Sequence, residues 1–591
     1  MEATANSIRT LVLDGDIVPA LAVARSLVRQ HQQVDVASAA QAPIASYSRG
    51  VRGCFRYPDP LSQAEQFVSW LEEHLAAQHY DLIIPVSERT LVPLSRQRQR
   101  FANVIIAMAD ERSLEQVLDK NKTFALAQRL GVAIPKTHYL ANINLLDQIK
   151  DELSYPVVVK PSHSVAGGAT GFSKRNVSYA SSETVLRAQC ERCLEHSPAV
   201  LQGYFKGLGV GLELIAQQGK ILYAFQHLRL HEVPLTGGGS SFRVSTEIEP
   251  VLLEAAAKLI RALQWHGVAM VEFKWNPSSA EYCLMEINGR FWGSLPLALA
   301  AGADFPAMLS DLLLQGRLGD YPAYRRGVYC RNLSSDMMWH EMVLRARLSG
   351  KGSSPNVNKL QIPTLSRMFR DLARVFSPRH HFDTQSLRDP VPGMVEIKCL
   401  ARSYAIRLRE VVTAKRFARR QRRLWRNGTV RQKVRTARTV LFICYGNINR
   451  SAAAEILMKT MLPVECATQV QSCGFHREQA RPADERMQRI ARENGFDLSC
   501  CSSTCLSDAL INDSDVIFVM EKKHYDDLVC RSPALADKIF LLGAGALTPD
   551  KNSVEIPDPY NQSDDVYRAC FSQIHQAVSR LIEALGVSHA R

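Results

Sequence analysis

Short apolar runs alternate with amphipathic stretches along the first part of the chain. Residues 10–13 and 34–37 form apolar runs of strand length, and residues 19–30 between them carry apolar positions at helical spacing. A further apolar run at 80–86 continues the alternation. Strands that alternate with helices are typical of parallel sheets covered by helices on both faces. The pattern therefore predicts a small, doubly wound α/β domain over residues 1–115.

The pattern changes after residue 115. A helical stretch and an apolar run at 155–161 lead into a glycine-rich segment and several strand-like runs, which predict a larger α+β domain over residues 116–325. Residues 326–438 show no clean strand alternation, and we interpret them as a basic helical linker. The α/β alternation resumes abruptly at Thr439, which predicts a third compact domain over residues 439–591. The fold class is thus a multidomain α/β protein.

The net charge of +14 is concentrated in one segment. Residues 401–440 contain fourteen Lys and Arg and the single acid Glu410, a net charge of +13. Aromatic side chains that could stack on bases are sparse in this segment, so we do not expect nucleic acid as a partner. Basic residues near an anionic membrane gain about 1 kcal/mol each, so we expect a peripheral contact with such a membrane or another polyanion.

Neither a membrane-spanning segment nor a secretion signal is expected. The most apolar stretch, residues 294–309, is interrupted by Gly302 and Asp304 and falls short of the roughly 20 apolar residues that a spanning helix needs. The first ten residues lack a basic region followed by an apolar core. Fourteen cysteines without framework spacing fit free thiols. We expect a cytoplasmic protein that can attach peripherally at the inner membrane surface.

A cysteine at the end of an apolar strand begins the first candidate site. Cys444 ends the run Val-Leu-Phe-Ile-Cys, a short loop follows, and an alanine-rich helix starts near Arg450. A loop that feeds a helix N-terminus turns backbone N–H groups toward one point and favours a dianion there. The planar guanidinium of Arg450 can bind two phosphate oxygens at once. The surroundings would also favour the nucleophilic thiolate form of Cys444.

This stretch resembles the low-molecular-weight protein tyrosine phosphatase family, whose signature is a cysteine, five residues and Arg-Ser, with Gly-Asn inside the loop. The resemblance covers about residues 436–587 and implies a flavodoxin-like fold and a phosphocysteine intermediate. It implies that Cys444 attacks phosphorus and that Arg450 holds the phosphoryl oxygens. It further implies that Asn447 braces the loop and that Ser451 hydrogen-bonds the leaving thiolate. The substrate class would be a phosphotyrosine protein.

The same resemblance implies a general acid. The family carries it in an Asp-Pro-aromatic loop near the C-terminus, and Asp558-Pro-Tyr560 matches that loop, so Asp558 would protonate the departing phenolate. An arsenate-reductase-like activity is an alternative on this fold, although the resolving cysteine that it needs is replaced by Met520. Asn449 stands where many family members carry a second cysteine.

A predicted hairpin carries the second candidate site. Two strand-like runs, 268–275 and 282–288, are joined by a turn that we place near Ser279, so Glu272 and Glu286 should lie opposite each other. Asn288, two residues further on, shares that face. Two carboxylates and an amide oxygen are ligands that Mg²⁺ accepts together with nucleotide phosphates. The hairpin therefore predicts a metal-nucleotide site.

The features around the hairpin resemble the ATP-grasp superfamily, in its carbamoyl-phosphate-synthase-like, carboxylate-amine ligase branch. Lys120 precedes a helix, Lys160 lies on a strand, and a glycine-rich loop with Gly167 and Gly168 follows. The resemblance implies a doubly wound pre-ATP-grasp domain before the ATP-grasp domain. It also implies that both lysines bind ATP phosphates and that the glycine loop covers them.

The resemblance also assigns the remaining ligands. Glu272, Glu286 and Asn288 would hold Mg²⁺ or Mn²⁺, and Arg290 would steady an acyl phosphate. Gln202 is expected to contact the nucleotide, although Gly203 follows it where many members carry Glu. The sequence is also similar to this branch of the superfamily at His227, Arg229, residues 237–239 and Arg243.

The sequence thus predicts a bifunctional enzyme that contains an ATP-dependent carboxylate-amine ligase and a cysteine-dependent tyrosine phosphatase. The expected partners are a small carboxylate, an amine and a phosphotyrosine protein. A second hypothesis is that the ATP-binding part is non-catalytic and regulates the phosphatase. The effect of Mg-ATP on phosphatase rate distinguishes the two hypotheses.

Overall fold

The computed structural model describes residues 7–162, 165–168, 171–174, 177–195, 197–235, 237–348, 362–463, 466–546 and 554–585. The chain divides into two compact units, residues 1–401 and 402–591. Among the described residues, the first unit contains three sheets of four, four and seven strands and a separate strand pair, and the second contains one four-stranded sheet.

The first sheet is parallel, as the sequence predicts. Its strands stand in the order β3-β2-β1-β4, and apolar residues from opposite faces of the sheet belong to two separate cores. The strand order reverses between β1 and β4, which is where open α/β sheets present ligand sites at their carboxyl edge. The elements are β1 (Arg9–Val12), α1 (Val18–Arg29), β2 (Gln33–Ser38), β3 (Val51–Arg56), α2 (Ala64–Ala77), β4 (Leu82–Ile84) and α3 (Glu88–Arg96).

A smaller antiparallel sheet follows, in the order β5-β10-β6-β9. Strands β7 and β8 pair only with each other, so the glycine-rich segment forms two short strands where the sequence predicts a loop. A four-residue strand with two glycines shows no side-chain alternation, which explains the difference. The elements are α4 (Glu111–Leu118), α5 (Lys120–Arg129), β5 (Thr137–Leu140), α6 (Asn144–Ile149), β6 (Val157–Pro161), β7 (Val165–Gly168), β8 (Gly171–Lys174), β9 (Ser178–Ala180), α7 (Glu183–Leu194) and β10 (Ala199–Gly203).

The largest sheet has seven strands in the order β15-β14-β11-β12-β13-β16-β17. Buried residues of α8 and of strands β11, β14 and β15 form one core, which also contains Trp265. The elements are β11 (Leu208–Gln217), β12 (Lys220–Val233), β13 (Gly239–Thr246), α8 (Pro250–Ala262), β14 (Gly267–Asn276), β15 (Glu281–Asn288), α9 (Leu295–Ala301), α10 (Phe305–Gln315), β16 (Tyr329–Arg331), α11 (Leu333–Leu348), α12 (Leu365–Ala373) and β17 (His380–Phe382).

The interpretation of residues 326–438 as a helical linker needs correction. Strands β16 and β17 lie in this range and extend the large sheet, with β16 antiparallel to β13 and parallel to β17. Each strand has only three residues, too few for the alternation of apolar and polar side chains to be recognised in the sequence. Residues 349–361 lie outside the described residues, and helices occupy much of the described remainder, at Leu333–Leu348, Leu365–Ala373, Pro390–Arg426 and Thr429–Thr436.

The second unit has a parallel sheet in the order β19-β18-β20-β21. Helix α13 begins before the division between the units and α14 ends just before β18. The elements are α13 (Pro390–Arg426), α14 (Thr429–Thr436), β18 (Thr439–Cys444), α15 (Arg450–Met461), β19 (Gln469–Gly474), α16 (Glu485–Glu493), α17 (Asp508–Asn512), β20 (Val516–Val519), α18 (Lys522–Arg531), β21 (Ile539–Leu541) and α19 (Asp564–Ala584).

Within the described ranges, no single helix has the length and apolarity needed to cross a membrane. Helices α9 and α10 are bent by 91° at the break between them. Only the two helices taken together have the required length and apolar composition.

Candidate functional sites

The thiol of Cys444 lies at the carboxyl end of β18, where the loop into α15 begins. The backbone N–H of Asn447 donates to Cys444 Sγ at 3.2 Å, and Ser451 Oγ lies 3.0 Å from the same sulfur. The Cys444 side chain is only 2 % exposed. The loop and the start of α15 thus form a cradle, with the buried sulfur at its base.

Asn447 holds the cradle in shape. Its φ is 54°, in the left-handed region that asparagine tolerates better than most residues. Its Nδ2 donates to Ser451 Oγ at 2.9 Å and to Ser472 Oγ at 2.8 Å, and its Oδ1 accepts from the backbone N–H of Thr504 at 2.7 Å. One buried side chain thus fixes three segments around the sulfur.

The guanidinium of Arg450 joins the cradle to the predicted acid. Nη1 donates to Glu521 Oε2 at 2.6 Å and to the Ile556 carbonyl at 2.9 Å, and Nη2 donates to Asp558 Oδ2 at 2.6 Å. Burial would lower the pKa of Arg450, but the nearby Cys444 sulfur and both carboxylates raise it. The buried Nε has no acceptor among the described residues, so it can donate to a bound oxyanion.

Sequence reasoning gave no role to Glu521 and His524. Glu521 follows β20 at the carboxyl edge of the parallel sheet. Burial would raise its pKa, but the hydrogen bond and charge of Arg450, together with the hydrogen bond from Lys523, outweigh burial and lower it. Burial, together with the charge of Arg450, lowers the pKa of His524 to about 4, so its ring is neutral at pH 7. The position of Glu521, two residues after the end of a buried parallel strand, was the sequence signal that could have identified it.

The second site lies on the hairpin of β14 and β15. Glu272 pairs directly with Glu286 and Met270 pairs with Asn288, so the register predicted from the sequence is confirmed. A register shift follows immediately, between Glu272 and Phe273. Asn288 Nδ2 lies 3.2 Å from Glu272 Oε1 and 3.2 Å from Glu286 Oε1. The three predicted metal ligands therefore converge.

Two lysines from other elements face these carboxylates. Lys120 Nζ lies 3.6 Å from Glu286 Oε2. Burial would raise the pKa of Glu286, but the charges of Lys120 and Lys160 and the hydrogen bond from Asn288 lower it to about 2. Burial lowers the pKa of Lys160 to about 8, against the opposing attraction of Glu286 and Glu272. The site thus combines two facing carboxylates with two lysines, and the charges of the lysines lower the pKa of Glu286.

The donor set fits a divalent cation. Glu272 and Glu286 supply carboxylate oxygens, and the Asn288 amide can present its oxygen instead of its nitrogen by turning over. Arg229 Nη2 lies 2.5 Å from Glu272 Oε2, so a cationic group already neutralises this carboxylate. Carboxylates facing one another across a hairpin need such neutralisation.

A cleft of about 440 Å³, counted with the solvent at its mouth, adjoins the hairpin. Its lining includes Lys120, Glu286, Asn288 and Arg290, and also Glu88 at the start of α3. Arg290 Nη2 lies 3.2 Å from Glu88 Oε1. Sequence reasoning missed Glu88, which follows β4 at the point where the strand order of the first sheet reverses. This position after β4 was the only feature of the sequence that could have identified Glu88.

The remaining predicted nucleotide residues lie on neighbouring strands. Gly167 and Gly168 are in β7, opposite Phe172 and Gly171 of β8. Gln202 is buried on β10, and its Nε2 donates to Thr137 Oγ1 at 3.1 Å. Its amide is therefore engaged within the small sheet. Residues 163–164, 169–170 and 175–176 of the glycine-rich segment lie outside the described residues.

A buried acid-base pair lies on β11 and β12. His227 Nδ1 lies 3.0 Å from Glu213 Oε1, and Ser294 Oγ donates to that same oxygen at 2.7 Å. Burial raises the pKa of Glu213 well above its usual value and lowers that of His227 well below its usual value. Both groups therefore favour their neutral forms in the core of the large sheet.

The parallel sheet, thiol cradle and arginine of the second unit are those of a cysteine-dependent phosphatase class. Residues 439–590 match the family described as "Low molecular weight phosphotyrosine protein phosphatase". The chain belongs to this family through its C-terminal part. The match confirms the resemblance seen in the sequence.

Two bacterial phosphatases are similar to this part of the chain. The probable low molecular weight protein-tyrosine-phosphatase AmsI of Erwinia amylovora is 36 % identical over 148 residues, which are 25 % of this chain and 96 % of the relative. The low molecular weight protein-tyrosine-phosphatase Wzb of Escherichia coli K12 is 30 % identical over 146 residues, 25 % of this chain and 94 % of that protein.

Part of the first unit matches a second family model. Residues 195–335 match the family described as "ATP-grasp in the biosynthetic pathway with Ter operon". A solved structure of an L-amino acid ligase from Bacillus licheniformis aligns with 52 % of this chain and 74 % of its own, at 14 % identity and a TM-score of 0.41. The chain thus combines a region that matches an ATP-grasp family with a protein-tyrosine phosphatase domain.

Proposed function

We propose that the second unit hydrolyses phosphotyrosine through a phosphocysteine. The Cys444 sulfur attacks phosphorus as the bond from phosphorus to the phenolic oxygen breaks, and Asp558 gives its proton to that oxygen. Water then attacks phosphorus and gives a proton to the Asp558 carboxylate, and the sulfur leaves as a thiolate that the Ser451 hydroxyl hydrogen-bonds. The observation that supports this proposal is the buried Arg450, whose Nη2 contacts Asp558 while its Nε lacks an acceptor among the described residues.

The phosphocysteine can be tested by trapping. Acid quenching during turnover of p-nitrophenyl phosphate should leave one phosphoryl group on the peptide that contains Cys444. Cys444→Ser should abolish both the label and turnover, whereas Cys466→Ser, a change at a partly buried thiol on another loop, should leave both unchanged. Turnover that persists in Cys444→Ser would refute the proposal.

We infer that the first unit activates a carboxylate as an acyl phosphate for attack by an amine. Lys120 and Lys160 would hold the phosphates of ATP, with Gln202 and the backbone of Gly167 and Gly168 around the nucleotide. Arg290 would steady the acyl phosphate in the adjoining cleft. The amine nitrogen then forms the new bond to carbon, and phosphate leaves with the bonding electrons. The convergence of Lys120, Glu286 and Asn288 on one cleft supports binding of ATP phosphates and a cation there.

Glu272, Glu286 and Asn288 would hold Mg²⁺, or Mn²⁺ in its place. The metal would supply electrostatic stabilisation of the charge that develops on the transferring phosphoryl group. The protein side chains contribute alignment of the donor oxygen and the acceptor carboxylate.

The ligase proposal can be tested by ADP formation on a panel of carboxylates and amines. Glu286→Gln should remove ADP formation that depends on both substrates. Glu281→Gln provides the matched control, because Glu281 lies exposed at the other end of β15. If the two variants lose activity equally, the hairpin carboxylates have no special role.

A second candidate function is regulation, in which the ATP site acts on the phosphatase without catalysis. Phosphatase rates with and without Mg-ATP test it. A change in rate without any ADP formation would favour regulation over ligation.

We also propose that the protein is cytoplasmic and that it attaches peripherally to the inner membrane surface through residues 401–440. Side chains from 405 to 416 are exposed on α13, which leaves their basic groups accessible to anionic lipid. Co-sedimentation with anionic vesicles should weaken as salt rises. Binding that does not change with salt would contradict the attachment.

A further inference from the structure

The last turns of α13 pack against the phosphatase domain, although they lie outside its family match. That match begins at residue 439, and α13 ends at Arg426. These turns belong to the second unit, so the packing lies within one compact unit. Side chains 405–416 are exposed, whereas Phe417 is half-buried and Ala418 is buried. The helix thus supplies the phosphatase with contacts that its family match does not include.

Two side chains of these turns attach the helix to β21, the last strand in the order of the parallel sheet. Gln421 Oε1 accepts a hydrogen bond from the Leu541 N–H at 3.1 Å, and Trp425 Nε1 donates to the Leu541 carbonyl at 3.0 Å. Gln421 is only 1 % exposed. An edge strand presents unpaired backbone groups, and these two bonds satisfy both groups of one residue. The position of α13 along β21 is therefore fixed at Leu541.

One turn before Gln421, Phe417 reaches the first turn of α18. The ring centroids of Phe417 and Tyr525 lie 4.7 Å apart, at an interplanar angle of 58°. Lys522 Nζ lies over the Phe417 ring, 5.4 Å from its centroid. Aromatic pairs and cations over ring faces stabilise a contact beyond the area that it buries. Phe417 therefore holds both Lys522 and Tyr525 of this turn.

The same turn begins with the carboxylate that contacts Arg450. Glu521 immediately precedes α18, and its carbonyl accepts a hydrogen bond from the Tyr525 N–H at 3.4 Å. Its Oε2 accepts from Arg450 Nη1 at 2.6 Å. The Arg450 side chain is fully buried, and closely packed interiors transmit displacements from one group to the next. A shift of the first turn of α18 would therefore move the guanidinium of Arg450.

We propose that Phe417 is a positioning residue of the phosphatase, which acts on Arg450 through Glu521. This inference rests on the phosphatase function proposed above, because Arg450 is the group expected to hold the phosphoryl oxygens. The Phe417 ring contacts Tyr525 and Lys522, so its effect on the reaction passes through the first turn of α18. A helix outside the family match thus sets the geometry of the phosphate-binding arginine.

Turnover of p-nitrophenyl phosphate and its inhibition by inorganic phosphate, both measured on the full chain, test this role. Phe417→Ala should lower kcat/KM and raise the inhibition constant of phosphate, each about threefold to tenfold, because Arg450 would be less well placed. Phe417→Tyr keeps the ring and should restore both values.

Leu424→Ala is the matched control. Leu424 is another half-buried apolar side chain of α13, but it packs against the core on the other side of the sheet, which contains no described residue of α18. Its replacement should leave kcat/KM and the inhibition constant of phosphate unchanged. Wild-type values in Phe417→Ala, or equal losses in Phe417→Ala and Leu424→Ala, would overturn the inference.

A double-mutant cycle separates the route through Glu521 from general destabilisation. Glu521→Ala removes the carboxylate that links the turn to Arg450, so adding Phe417→Ala to it should change kcat/KM by less than about twofold. Effects of the two changes that multiply in the double variant would overturn the inference. A wild-type chain without turnover of p-nitrophenyl phosphate would instead refute the phosphatase function itself.

Discussion

The carboxylate of Asp558 accepts a hydrogen bond from Arg450 and lies 38 % exposed at the edge of the phosphatase site. Both features suit a group that meets a substrate oxygen from the solvent side. Cys444, Asn447, Arg450 and Ser451 lie within eight residues, so a local motif was enough to predict that they meet. Asp558 is more than a hundred residues away, and only the fold brings it to Arg450.

Replacing Asp558 tests its role as acid. Asp558→Asn should slow hydrolysis of phenyl phosphate by about 10² to 10⁴, because a poor leaving group needs a proton in the transition state. The loss should be smaller for p-nitrophenyl phosphate, whose leaving group is already stable as an anion. Steady-state kinetics with the two esters measures the difference. Asp564→Asn, on α19, serves as control; an equal loss on both esters would argue against proton donation.

The lowered pKa of Lys160 predicts that the protein takes up a proton when ATP binds. Its pKa of about 8 means that the free protein carries an increasing share of neutral Lys160 as the pH rises through 8. Phosphate oxygens favour the charged form, so binding must restore the proton above pH 8. Calorimetric titrations at pH 8.5 in buffers of different ionisation enthalpy should show uptake of more than about half a proton per chain.

At pH 7 the same uptake should be close to zero, because Lys160 is already charged. Lys160→Arg should bind Mg-ATP without uptake at either pH, since arginine does not titrate in this range. Uptake that persists in this variant would show that another group takes up the proton.

At the scale of elements, the β14–β15 hairpin shows what the alternation of side chains along a strand can predict. Side chains on a strand repeat every two residues, so a turn centred near Ser279 was sufficient to place Glu272 opposite Glu286. The register shift beyond Glu272 has no such signal, because an extra residue in one strand depends on the packing of the sheet. Strands β16 and β17 were missed because three residues are too few to show an alternation of apolar and polar side chains.

The junction between β19 and the cradle loop gives a prediction at this scale. Gly474 ends β19, and a Cβ there would lie 2.6 Å from the Tyr445 carbonyl oxygen and 2.9 Å from the Asn447 nitrogen. Both are backbone atoms, so Gly474→Ala must displace the loop around the sulfur. We expect kcat/KM for p-nitrophenyl phosphate to fall at least about 100-fold, since small misplacements of reacting groups have effects of this size.

Gly495→Asn provides the comparison in the same unit. Gly495 has a left-handed φ of 85° but open space around its Cβ position, and asparagine tolerates this conformation. Turnover should remain near the wild-type value. A Gly474→Ala enzyme that is as active as Gly495→Asn would mean that the loop does not require this close approach.

At the scale of the whole molecule, the sequence predicted both families and the α/β class. Each family has a local motif, and each motif lies within a recognisable alternation of strands and helices. Its four segment boundaries remain predictions, and the structure divides the chain between residues 401 and 402, within α13. The basic charge of this region was visible in composition. The exposure of apolar side chains on α13, such as Leu408, was not, since only the fold shows which side chains are covered.

The central claim is that one chain carries two separate phosphoryl sites. The most direct test measures Mg-ATP binding and p-nitrophenyl phosphate turnover on the same preparations of wild type, Cys444→Ser and Glu286→Gln. We predict that Cys444→Ser loses turnover and keeps Mg-ATP affinity, and that Glu286→Gln keeps turnover and binds Mg-ATP at least about tenfold more weakly. Loss of both properties in either variant, or of neither in Glu286→Gln, would contradict the claim.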